Sequence, residues 1–188
     1  MRLGCIIMAS GHSKRFGRDK LTFELKNGTV AENTMDAISK TVFDPVLVVT
    51  RSEAVAEMAR QRGFIAVINN DVTDSMSVTI KLGLERLPGD AEGCMFCVCD
   101  QPYLRQESVL RLAEEFCAEP ERIVALSKDG KRGSPVIFPK SLFSELMELE
   151  ANASGRVVMD RHPQLVALVE AEDASELLDI DRPDDVLL

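Results

Sequence analysis

The stretch Ser10-Gly11-His12-Ser13-Lys14-Arg15-Phe16-Gly17-Arg18-Asp19-Lys20 breaks sharply from the apolar run before it. Gly11 and Ser13 let backbone N–H groups approach an anion closely, while Lys14, Arg15, Arg18 and Lys20 gather positive charge beside them. That combination suits a phosphate cradle. It is neither a P-loop nor Gly-x-Gly-x-x-Gly, and a solvated surface loop would share its composition. A second candidate is Asp100, which ends an apolar run and opens Asp100-Gln101-Pro102-Tyr103. At the carboxyl end of a central strand its carboxylate could hold Mg²⁺ against a bound phosphate; the alternative is an aspartate that opens a turn. Asp179-Ile180-Asp181-Arg182-Pro183-Asp184-Asp185 follows near the end of the chain. Pro183 suits a first helical position and Asp184 and Asp185 a helix N-terminus. Asp179 and Asp181 are left over, and either could be a second metal ligand if the chain returns to the same edge. Cys94, Cys97 and Cys99 lie within an apolar run with no second half of a metal site, so they read as small buried hydrophobes. His12 lies in the glycine loop and His162 precedes Pro163, and neither forms a nucleophile–base pair on the sequence alone.

The elements that must position these residues come from two alternating patterns. Leu3 to Ala9, Pro45 to Thr50, Phe64 to Ile68, Cys94 to Cys99, Ile123 to Ser127 and Leu165 to Val169 are short, nearly continuous apolar runs. They suit strands of a sheet covered on both faces. Between them, Val30, Thr34, Ile38 and Val42 recur at helical spacing, as do Val109, Leu112, Ala113 and Phe116. Ala54, Val55, Met58 and Ala59 form a stripe before Gly63, and Met76, Ile80, Leu84 and Leu87 form one before Pro88-Gly89-Asp90. A β-rich stretch near Gly133 to Pro139 follows, then more helix. The alternation predicts a three-layer α/β domain with a mostly parallel sheet and right-handed crossovers. Ligands of such sheets bind outside the carboxyl ends of the strands, where the candidate loops fall.

The chain has 188 residues, which predicts one domain over 1–188, and no repeat or linker suggests a second. With 31 Asp plus Glu against 22 Lys plus Arg it carries a formal charge of −9, which argues against nucleic acid and acidic membranes as partners. No apolar run approaches the roughly 18 residues needed to cross a bilayer. Five cysteines in a chain of this size read as reduced thiols, and the expected location is the cytoplasm.

Four of these motifs, Ala9 to Gly17 with Lys20, Asp100-Gln101-Pro102, Gly133-Ser134-Pro135 and Asp179 to Asp185, stand in an order and spacing that resemble the molybdenum cofactor cytidylyl- and guanylyltransferase family across nearly the whole chain. The cytidylyltransferase subgroup is the nearer, since a strand ending in Asp-Gln-Pro and a final Asp-Ile-Asp-x-Pro are typical of it. The resemblance implies a Rossmann-like, GT-A-like α/β/α domain that uses Mg²⁺ to transfer a nucleoside monophosphate, with CTP expected and GTP open, to molybdopterin or another phosphorylated acceptor, releasing pyrophosphate. It implies that Ala9, Ser10, Gly11, His12, Ser13, Lys14, Arg15 and Gly17 surround the nucleotide, that Arg15 holds the β- and γ-phosphates, and that Lys20 stabilises charge at the α-phosphate. Asp100 and Asp181 would hold the metal. Ser75 and Ser77 would border the nucleotide, and Gln101, Pro102, Gly133, Ser134 and Pro135 the acceptor.

The chain departs from the family at three places. Ser10 replaces a middle alanine or glycine near the base, so CTP and GTP both stay open. Ser75-Met76-Ser77 stands where Gly-Met-Ser is usual, and Ala151 to Arg156 where Gly-Asp-x-Gly-x-Arg is usual on the acceptor side. Two further readings follow: a transferase for a sugar or alcohol phosphate, or a non-catalytic cofactor carrier for a molybdenum hydroxylase.

Overall fold

The computed structural model describes residues 1–11, 16, 19–73 and 75–187. In chain order the elements are β1 (Leu3–Ala9), a small hairpin of β2 (Glu24–Leu25) and β3 (Gly28–Thr29), α1 (Val30–Asp36), β4 (Phe43–Thr50), α2 (Glu53–Gln61), β5 (Ile65–Ile68) and α3 (Met76–Leu84). There follow β6 (Gly93–Val98), α4 (Gln106–Ala118), β7 (Ile123–Lys128), β8 (Lys131–Pro139), α5 (Phe143–Met147), α6 (Gly155–Arg161) and β9 (Val166–Glu170). Seven strands form one sheet in the order β5-β4-β1-β6-β8-β7-β9. This is the mostly parallel α/β architecture that the alternating runs predict.

Alternate residues of the central strands feed two separate cores. Cys5 and Ile7 of β1 point with Met95 and Cys97 of β6 toward α1, α2 and α4, where Met35, Val55, Leu112 and Phe116 are buried. Ile6 and Phe96 face the other way, toward Ile80 of α3, Leu146 of α5 and Val158 of α6. Both faces are covered, which is why β1 reads as an unbroken apolar run. Cys5, Cys94, Cys97 and Cys99 are free thiols buried in these layers, and burial pushes each well above the usual thiol range. They are packing residues.

The structure differs from the sequence reading at α1 and at the segment near Pro183, and it gives β8 the direction that the sequence leaves open. β8 runs antiparallel to both β6 and β7, because Asp129 and Gly130 (φ 51° and 74°) turn the chain back in two residues. Asp-Gly at left-handed angles is the chemistry of a tight hairpin turn. α1 ends at Asp36, with Ala37 as its cap, so Ile38 is buried beyond the helix. The segment at Pro183 forms one 3-10 turn (Pro183–Asp185), too short for the helix its proline and acids suggest. Among the described residues no helix is long and apolar enough to cross a membrane.

α3 can lie close to β1 because Gly83 has no side chain: a Cβ there would stand 2.7 Å from Cδ1 and Cγ2 of Ile6. Gly83→Ala should therefore destabilise the fold although alanine is the better helix former. Overpacking costs about 1–3 kcal/mol and the helix gain is about 1 kcal/mol. Net of the helix gain, urea unfolding is expected to show a loss of up to about 2 kcal/mol; a midpoint raised by the full helix gain would show that the layers separate without cost.

Candidate active site

The carboxyl ends of β1, β4 and β6 meet along one edge of the sheet, since β1 pairs in parallel with both neighbours. The chain leaves β1 at Ser10, β4 at Arg51 and β6 toward Asp100, so residues far apart in sequence arrive together. After β9 the chain returns to this edge. The N–H of Ile180 donates to the carbonyl of Asp100 (2.9 Å), which fixes Asp179 and Asp181 on either side of that contact.

A cation sits at the junction. Lys20 Nζ donates to Asp100 Oδ2 at 2.6 Å and to Asp181 Oδ1 at 3.1 Å, with residues 80 and 161 positions apart in the chain. Lys20 begins a short 3-10 turn (Lys20–Thr22) capped by Asp19, whose carboxylate accepts from the Leu21 N–H. Burial works against its charge, but Asp100 and Asp181 outweigh it, and the ammonium is held above the ordinary lysine value. This stabilising effect is complete below the unfolded lysine value and is lost as pH rises through the folded one, so it is present at neutral pH. Asp181 is itself braced: Asp185 Oδ2 accepts from the N–H groups of Asp181 (2.9 Å) and Arg182 (2.7 Å). The acids that suggest a helix start thus hold the site instead.

The structure separates the two aspartates that the sequence leaves open. Asp181 faces Lys20, while Asp179 accepts from Gln101 Nε2 at 2.8 Å. Gln101 Nε2 also reaches the carbonyl of Leu177, and Gln101 and Pro102 are buried. Burial, and then nearness to Asp100, raise Asp179 above the ordinary carboxylate range, against the Gln101 hydrogen bond and Lys20. Among the described residues no group of three or more His, Cys, Asp and Glu side chains is placed to hold a metal ion. The two carboxylates that share Lys20 are the nearest approach to such a group.

Of the expected nucleotide residues, His12, Ser13, Lys14, Arg15 and Gly17 lie outside the described residues. Ala9 is buried at the end of β1, and Gly11 is exposed with open space where a Cβ would stand. Ser10 is buried and its hydroxyl donates to the carbonyl of Val49 (3.1 Å). Ser75 and Ser77 are also buried. Their hydroxyls pair at 2.8 Å, and the N–H of Asn152 donates to Ser75 Oγ (3.1 Å), so both are engaged within the protein. The departing segments at Ser75 and Asn152 are therefore one contact.

Of the residues that the resemblance sets at the acceptor, Gly133 and Ser134 line a cavity of about 720 Å³ beside β6 and β8. Its lining includes Met8, Met76, Phe96 and Met159 together with Arg132 and Arg156, both exposed and both paired with Asp160. A second cavity of about 450 Å³ shares Gly133, Ser134 and Asp179 and reaches Gln101. Pro135 is buried behind them and lines neither. Ser134 Oγ accepts from the Val98 N–H (3.1 Å), which ties the loop to the strand that leads to Asp100. His162 lies elsewhere, bonded to Glu145 Oε1 at 2.7 Å.

Sequence reasoning passed over Arg51, which stands beside the candidate loop. Its Nε donates to the Ser10 carbonyl (2.9 Å) and its Nη2 to the Thr73 carbonyl. The available signal was a basic residue directly after the apolar run that ends at Thr50.

Residues 5–166 match the family described as MobA-like NTP transferase domain. Purine catabolism protein PucB of Bacillus subtilis (strain 168) is 26% identical, the alignment covering 96% of this chain and 92% of that protein. A probable molybdenum cofactor guanylyltransferase of Aquifex aeolicus (strain VF5) is 29% identical over 77% of this chain and 67% of its own length. Among solved structures, a nucleotidyl transferase from Methanothermobacter thermautotroptrophicus superposes with a TM-score of 0.83 at 22% identity, covering 98% of this chain and 94% of that one. At that identity the likeness is one of fold.

The raised Asp179 gives a test with a definite sign. The folded protein binds its proton more tightly than the unfolded chain, so the ionised group costs stability above the folded value and the cost fades as pH falls toward the ordinary aspartate value. Asp179→Asn keeps an acceptor for Gln101 and removes that cost. The variant is expected to unfold at a higher denaturant concentration than the parent at pH 7, with the gap narrowing by pH 4; a gap that widens on acidification would refute the assignment.

Proposed function

The chain belongs to the MobA-like NTP transferase domain family and is a nucleotidyltransferase, and from that premise we propose that it transfers CMP from CTP to the phosphate of a molybdopterin-type acceptor and releases pyrophosphate. The observation that carries this reading is Lys20 held between Asp100 and Asp181 at the carboxyl edge of the sheet. Such a cluster supplies what the reaction needs. The acceptor phosphate attacks the α-phosphorus directly, so positioning and charge neutralisation matter more than a protein nucleophile.

Asp100 and Asp181 bring hard carboxylate oxygens to one cationic position, a donor set that fits Mg²⁺ taking its other ligands from phosphate and water. Mg²⁺ held there would neutralise charge on the triphosphate and on the departing pyrophosphate. With the carboxylates so engaged, Lys20 would present its ammonium to the α-phosphate, and a lysine is charged at neutral pH. Ala9 to Gly11 open the cradle for the phosphates, and Arg15 holds the β- and γ-oxygens. Gly133 and Ser134 border the cavity that takes the acceptor, with Arg132 and Arg156 in its lining, where an anionic group would compete with Asp160 for them. Gln101 reaches the second cavity and is fixed by Asp179, while Pro102 is buried and lines neither cavity.

CTP as donor is supported by Asp100-Gln101-Pro102 and by Asp179 to Pro183, which resemble the cytidylyl subgroup. GTP is supported by the guanylyltransferase relative. A dinucleotide product would serve a molybdenum hydroxylase. The test is pyrophosphate release with CTP, GTP and ATP in turn, with Mg²⁺, in the presence and absence of molybdopterin. Acceptor-dependent release with CTP is expected. Release with GTP alone moves the donor assignment, and silence with all three from folded protein contradicts the transfer reading.

Asp100→Ala and Lys20→Ala should each lower that release at least ~10²-fold while the circular dichroism spectrum stays that of the parent. A variant at Asp100 with parental turnover would remove it from the centre.

A further inference from the structure

A string of hydrogen bonds crosses the carboxyl ends of β1, β4 and β5, and nothing in the transfer chemistry uses it. Ser10 Oγ donates to the carbonyl of Val49, and Arg51, two residues further along, donates from Nε back to the carbonyl of Ser10 (3.1 and 2.9 Å). Arg51 Nη2 donates to the carbonyl of Thr73. Thr73 N in turn donates to Asp71 Oδ1 (2.7 Å), and Asp71 N donates to Asn69 Oδ1 (2.9 Å). The string closes at the sheet, since Asn69 N donates to the carbonyl of Thr50 (2.8 Å).

Arg51 is the element of this string that joins two segments with no backbone pairing between them. One is the start of the phosphate loop, 41 residues before it, and the other leads into α3, 22 residues after it. A guanidinium presents its donors in a fixed planar fork, so one side chain can hold two carbonyls in a set relation; an ammonium is a point charge and cannot. Both acceptors are backbone carbonyls, so Arg51 fixes chain position and leaves substrate charge to other groups. Its position decides what is held: the carbonyl of Ser10 lies between Ala9 and Gly11, where the cradle begins.

We propose that Arg51 is the positioning residue of the nucleotide site, tying Ser10 to the segment before α3 so that the triphosphate meets the Ser10–Gly11 backbone already set in place. The proposal rests on the nucleotidyltransferase reading. Backbone organised in advance spares the ligand the cost of ordering it, so loss of Arg51 should appear in nucleotide affinity more than in the rate of the bound complex.

The experiment compares the parent with Arg51→Ala and Arg51→Lys, by calorimetric titration with CTP and with GTP and by steady-state pyrophosphate release. Both variants are expected to raise Kd and KM for the nucleotide by at least about tenfold, with kcat within about threefold of the parent. Arg51→Lys should fail to restore affinity although it keeps the charge. Parental affinity in Arg51→Lys would assign the effect to charge and overturn the proposal. So would unchanged affinity in Arg51→Ala, whether or not its kcat or thermal stability falls. A parent that binds neither nucleotide would overturn the underlying reading and the proposal with it, and this differs from the case in which parent and variants bind alike.

Discussion

Two carboxylates brought together at the edge of a folded sheet repel unless a cation or a shared proton lies between them, and in this protein Lys20 supplies the cation. Asp100 arrives on β6, Asp181 on the segment after β9, and Lys20 on the turn that follows the basic loop. Three separate stretches of chain are thereby fastened at one place. The supports around the contact serve the same end: Asp19 starts the Lys20 turn, Asp185 holds the backbone of Asp181, and Ile180 bonds to Asp100. Like charges so arranged form a site whose partner can be exchanged, because any incoming cation competes for oxygens already oriented.

The two layers of helices serve that arrangement by keeping β1 and β6 adjacent and parallel. Ile6 and Ile7 of β1 anchor it to opposite cores, so the strand cannot slide by one residue without turning each side chain into the wrong layer. Its carboxyl end is fixed in consequence. The antiparallel β8 adds what a parallel strand could not, since the Asp129-Gly130 turn delivers Lys131 to Ser134 at the same edge where the parallel strands end. The acceptor-side cavity is built on that reversal.

Much of this was legible in the residues. The apolar run Leu3 to Ala9 coincides with β1, and Asp100 does stand just past the end of a central strand, because unbroken hydrophobicity marks a strand buried on both faces. Asp129-Gly130 was legible too, as a hairpin signal of known chemistry, but a reading that looked for parallel crossovers passed over it. Other features could not be read locally. The division of labour between Asp179 and Asp181 depends on which of them meets Gln101 and which meets Lys20, contacts that span 78 and 161 residues. Arg51 is no different in composition from the basic residues elsewhere on the surface; only the arrival of Ser10 and Thr73 beside it reveals its use. Ser75 and Ser77, which the resemblance sets at the nucleotide, are buried in a contact with Asn152. That contact joins two of the places where this chain departs from its family.

The claim on which the account turns is that Lys20 and Asp100 work as one unit in nucleotidyl transfer. The direct measurement is a double-mutant cycle on kcat for pyrophosphate release, using Lys20→Met, Asp100→Asn and the pair together. Groups that act as a unit are strongly non-additive, so the double variant should be about as slow as the slower single variant. Losses that multiply would show two independent residues and contradict the shared site.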